Sequence, residues 1–152
     1  MARFNKWWSS AVSTAATAVA VLSYPLLTNA WNAYFDPSAG MGGTDAVPVI
    51  VGLVVFVGIC NVAAVAGSVV SVRRAMWQRQ SPVLVASAMI VAAALLAYFV
   101  SWMYSIKLGY QDWALTPELA AVGRFNRNCF TVAMLGAAGT WVGCLFDRKV
   151  VE

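Results

Sequence analysis

The sequence predicts an all-α integral membrane protein, a bundle of four transmembrane helices with both termini on one, inner, side. Three observations carry that expectation. Of the 152 residues, 61% are hydrophobic and 11% charged, where a soluble domain carries about 25% charged residues. The apolar residues are gathered into four runs rather than spread evenly. Lys and Arg group at the ends of those runs and leave their middles uncharged.

The runs cover about 9–31, 47–72, 82–104 and 128–146. At 1.5 Å of rise per residue each can span a hydrocarbon core of roughly 30 Å, the longer ones with some tilt. Arg3 and Lys6 precede the first run, and Thr28-Asn29-Ala30 imitates a cleavage site. The run is longer than the apolar core of a signal peptide, so a retained span is expected; the lack of acid before Asp36 leaves an uncleaved organelle-targeting signal open. Pro25 should kink this span. Asp36-Pro37 with Gly40, Gly42 and Gly43 makes the next segment a connector.

The fourth helix is expected to start before its apolar run. Thr116-Pro117-Glu118 reads as an N-cap, a proline at the first helical position and an acid in the first turn. The predicted spans are therefore 9–31, 47–72, 82–104 and 117–146, the first ten residues of the last helix lying outside the apolar core, in one domain over 1–152.

Orientation follows from the basic residues. Arg3, Lys6, Arg73, Arg74, Arg79, Arg148 and Lys149 fall on one side, and Lys107, Arg124 and Arg127 on the other. The richer side is expected inside. Trp7, Trp8 and Trp77 would lie at the inner boundary, and Trp31, Tyr34, Trp102, Tyr104, Tyr110 and Trp113 near the outer one, as two aromatic belts. The membrane itself, a plasma membrane or an organelle inner membrane, is left open.

Few residues point to chemistry. The absence of histidine removes most haem, copper and zinc sites and the commonest general base at neutral pH. Cys60, Cys129 and Cys144 are odd in number and widely spaced, so neither a disulfide framework nor a metal site is expected. Cys144 is a site for S-acylation only if it is accessible, and an inert thiol is the expectation. No acid or base occupies the middle of a span, which removes the usual machinery of a proton relay. No cofactor and no nucleic acid are expected, since the charge of +4 is accounted for by orientation.

What remains is packing. Helices in lipid associate through close contact and interhelical hydrogen bonds, and small residues four apart permit both. Gly139 and Gly143 form such a pair in the fourth span, with Gly136 one turn earlier, and Ala63, Gly67 and Ser71 repeat the spacing in the second span and Ala93, Ala97 and Ser101 in the third. Asn61, in the middle of the second span, needs a partner, and a bond to another helix is expected. Ser10, Ser13, Thr14 and Thr17 share one sector of the first span, where bonds back to their own helix are the ordinary use. Asn29 and Asn32 are expected to face water or headgroups. Arg124 and Arg127 share one face, and they and the group Arg73, Arg74 and Arg79 are candidates for contact with anionic lipid or with a partner.

Arg124-Phe125-Asn126-Arg127 does not reproduce the Arg, Glu and Asn spacing of the four-span eicosanoid and glutathione group. The acid that accompanies the arginine in the inner-membrane protein-import family is missing too. The inferred topology resembles that of MARVEL-type tetraspan proteins, a likeness of span number and ends that transfers no site residue. The expected function is that of a non-catalytic accessory subunit or scaffold, with membrane lipids and other membrane subunits or copies of itself as partners. A small channel or carrier for a neutral solute is the alternative, and a membrane-embedded enzyme follows it.

Overall fold

The computed structural model describes residues 2–35, 46–111 and 117–146, and side chains in 7–26, 48–49, 51–107, 117–118 and 120–145. The expected connector at 36–45, the cap Thr116, and Asp147, Arg148, Lys149 and Glu152 lie outside the described residues, and so do the side chains of Arg3, Lys6, Asn29, Trp31, Asn32 and Tyr34, of Tyr110, and of Trp113. Four helices follow one another: α1 (Ala2–Phe35), α2 (Ala46–Trp77), α3 (Pro82–Gln111) and α4 (Pro117–Phe146). Each contains a stretch long and apolar enough to cross a membrane: Trp7–Leu26, Val51–Trp77, Pro82–Lys107 and Ala120–Leu145.

The helix ends have local causes. α1 continues through Pro25, which leaves the Val21 carbonyl without its usual donor four residues on. Beyond α2, Arg79 N–H donates to the Met76 carbonyl at 3.1 Å and Gln80 N–H to that of Ala75 at 3.1 Å. This is the paired closure of a Schellman motif, and it places Arg79 in the left-handed region at φ 48°, where glycine is usual. α3 then starts with Ser81 as its cap: its Oγ accepts from Leu84 N–H at 3.4 Å, and Pro82 takes the first helical position. α4 opens on Pro117 with Glu118 in its first turn.

Contacts set the packing. Ser71 and Asn61 of α2 meet Ser9 and Ser23 of α1 in antiparallel order. Cys144 and Trp141 of α4 meet Ser10 and Thr14 of α1 in the same sense. Gly143 and Gly136 of α4 face Leu84 and Val91 of α3. The helices thus run alternately up and down in ring order α1-α2-α3-α4, with α1 also touching α3 across the centre while α2 and α4 do not meet among the described residues.

Inward positions follow helical spacing with small residues prominent. On α2 they are Val57, Asn61, Ala64, Ser68, Ser71 and Ala75, spaced alternately four and three, which is a narrow seam. On α4, Asn126, Cys129, Phe130, Ala133, Ala137, Thr140 and Cys144 make a wider face. The span of α2 is accordingly 22% buried and that of α4 44%, so α2 is the peripheral member of the bundle. Outward positions are large and aliphatic: Val55, Ile59, Leu96, Val100 and Leu135 are all exposed. Water-soluble monomers rarely leave such continuous apolar surface uncovered.

Candidate functional site

Among the described side chains of α1, the serines and Thr17 face the interior. Ser9, Ser10, Ser13, Thr17 and Ser23 are all buried, on one helical face. At the end of the bundle near the α2–α3 turn they form a continuous set of bonds. Ser9 Oγ donates to Gln80 Oε1 at 3.1 Å, Ser71 Oγ donates to the Ser9 carbonyl at 2.6 Å, and Gln80 Nε2 donates to Gln78 Oε1 at 2.7 Å. Ser10 Oγ and Cys144 Sγ lie 2.8 Å apart, and Trp141 Nε1 donates to Thr14 Oγ1 at 2.6 Å. The Trp141 ring also packs on Trp7, with centroids 5.3 Å apart. The Ser/Thr sector of α1 therefore ties α1 to α2 and α4. Thr17 bonds back to the Ser13 carbonyl at 2.8 Å and is the member of this sector that follows the ordinary use within its own helix.

Half-way along the bundle the interior becomes aromatic. Asn61 is 1% exposed, and its Oδ1 accepts from Ser23 Oγ at 3.4 Å. The Ser23 hydroxyl is shared, because it also donates to the Ala20 carbonyl at 2.9 Å. The Tyr98 hydroxyl stands beside Asn61 and Ser23. Its ring packs on Phe130 with centroids 4.5 Å apart, and Tyr24 meets Phe130 edge-on at 5.2 Å. Asn61 Nδ2, Tyr98 Oη, Trp102 Nε1, Ser13 Oγ and Asn126 Oδ1 are buried without a hydrogen bond. An unpaired polar atom of this kind costs on the order of 1–3 kcal/mol.

The three small-residue sets have different fates. In α4, Gly136, Gly139 and Gly143 lie against α3: a Cβ on Gly136 would stand 2.8 Å from Val91 Cγ2, one on Gly139 3.0 Å from Ser87 Oγ, and one on Gly143 3.1 Å from Leu84 Cγ. In α2, Gly67 faces Ala16 and Val12 of α1 at ordinary contact distance. Ala63 points outward, and its neighbour Ala64 takes the inward place. The third set is only partly absorbed: Ala97 packs in part against the core and Ala93 is exposed. Ala93, Ala97 and Ser101 line an outward groove of about 910 Å³ between α3 and α4, closed by Tyr104, Val122 and Phe125.

The arginines separate as well. Arg74 lies over the Trp8 ring at 6.0 Å. Arg73 turns to the other side and lines a second outward groove, of about 600 Å³, between α2 and α3. Arg79, Arg124 and Arg127 are exposed. Cys129 and Cys144 are buried and Cys60 is partly so, and none of the three is in a disulfide.

Gln80, Tyr98 and Asn126 are interior polar residues that the apolar pattern did not single out. Asn126 had a signal: it lies three and four residues before Cys129 and Phe130, on one helical face with Ala133 and Ala137. Gln80 had none, since its burial follows from the turn geometry. The chain matches no protein-family model, no curated protein and no solved structure.

Proposed function

We propose that the chain is a multi-pass membrane protein, with its arginine-rich end inside, that acts without catalysis as an accessory subunit or scaffold. It associates laterally with other membrane subunits or with copies of itself. The observation that supports this reading most is the groove of Ala93, Ala97 and Ser101. Small side chains let a second backbone approach closely, and the corresponding glycines of α4 are already occupied inside the bundle. The inward serines, in turn, are largely engaged in joining helices.

The mass of the particle released by mild detergent tests the proposal. A particle heavier than one 16.2 kDa chain and its detergent is expected, and Ala97→Trp should disperse it without unfolding the bundle. A single-chain particle from native membranes would overturn the reading. A second reading, a pathway for a small neutral solute, is favoured by the unpaired Asn61 Nδ2 and Tyr98 Oη in the middle of the bundle. It requires an Asn61-dependent flux.

A further inference from the structure

We propose that the groove between α2 and α3 seats an anionic phospholipid, with the phosphate at the Arg73 guanidinium and an acyl chain along Val69, Val72, Met76, Met89 and Ala92. The proposal goes beyond lateral association and rests on a different face of the bundle.

The groove lies on the outer side of the bundle between the last turns of α2 and the first turns of α3, next to the turn that joins them. Its wall is apolar, and two of its members are methionines, whose flexible side chains adapt to an irregular chain. Arg73 and Trp77 also line it, and Trp77 is 82% exposed, a placement open to an indole at headgroup level. The neighbouring Arg74 is engaged on Trp8, so the two adjacent guanidinium groups do not share one task. Arg79, exposed in the turn, adds positive charge at the same end. Among the described side chains Glu118 is the only carboxylate, and it lies at the opposite end of the bundle. An occupant with an apolar tail and an anionic head complements both parts of this groove. A partner helix complements only the wall, and the α2 side of the groove, Val69 to Trp77, offers it about two turns.

The test uses the full chain in detergent and in nanodiscs, with phosphatidylglycerol and phosphatidylcholine of equal chain length as probes, and retained lipid is read by native mass spectrometry and by thermal stabilisation. Wild type is expected to retain phosphatidylglycerol about fivefold better than phosphatidylcholine, the factor that one arginine beside an anionic surface contributes. Arg73→Gln should bring the two lipids level, and Met89→Trp, which fills the groove and keeps the charge, should reduce retention of both. Arg74→Gln should keep the preference. No preference in wild type, a full preference in Arg73→Gln, or undiminished retention of both lipids in Met89→Trp would overturn the proposal. Displacement of the lipid by inorganic phosphate alone would identify a free-anion site and overturn it as well. Circular dichroism and gel filtration confirm folding of each variant, and Arg73→Met, likewise expected to bring the two lipids level, replaces Arg73→Gln if that variant does not fold.

Discussion

Gly136 of α4 lies so close to Val91 of α3 that a methyl group on Gly136 would stand 2.8 Å from Val91 Cγ2, with the Ser87 carbonyl oxygen 3.2 Å away. The backbone oxygen cannot rotate aside, so even alanine forces the helices apart. Gly136→Ala should therefore destabilise the bundle by about 1–3 kcal/mol, read as a lower melting temperature in detergent. Gly139→Ala should cost less, because its tightest neighbour is the Ser87 hydroxyl. Unchanged melting of Gly136→Ala would contradict this approach of α3 and α4.

Asn61→Leu tests the middle of the bundle. The amide has one long bond, from Ser23 at 3.4 Å, and an unpaired Nδ2. Losing the bond and removing the unpaired group act in opposite directions, so the net change in stability should stay within about 2 kcal/mol. Vesicle flux of small neutral solutes should be the same for wild type and Asn61→Leu. A selective flux in wild type that vanishes in a folded Asn61→Leu would replace the scaffold reading with the solute pathway.

Arg79→Gly should stabilise the turn between α2 and α3. An L-residue in the left-handed region pays roughly 1–2 kcal/mol that glycine does not, offset by about 0.5–1 kcal/mol of extra chain entropy in the unfolded state. The expected gain is thus modest, within about 1 kcal/mol, with the melting temperature raised. Arg79→Ala removes the same charge and keeps the strain, so it should show no such gain. Equal melting of the two variants would mean that φ at this position carries no cost.

The orientation proposal is tested by single cysteines in a Cys-free background. Cysteines at Gly42 and Gln111 should react with an impermeant thiol reagent added outside, and one at Gln78 should not. Reaction of all three from the same side would rule out the alternating topology.

The existence and order of four long helices were legible in the sequence, because an uninterrupted apolar run, a proline at a helix start and a charged run end are properties of the chain in one dimension. The start of α4 at Pro117 is of this kind. The use of each helix face was not legible. The spans are apolar or small nearly all round, so Ala63 and Ala64 offer no contrast in polarity, and only the seating of α1 against α2 decides that Ala64 turns inward. For the same reason three equivalent small-residue sets became two internal contacts and one open groove. Gln80, polar and beside an arginine, is buried because the left-handed Arg79 turns the chain back toward Ser9. Local chemistry determined where the helices run; the tertiary structure decided which surfaces they spend on one another and which they leave free.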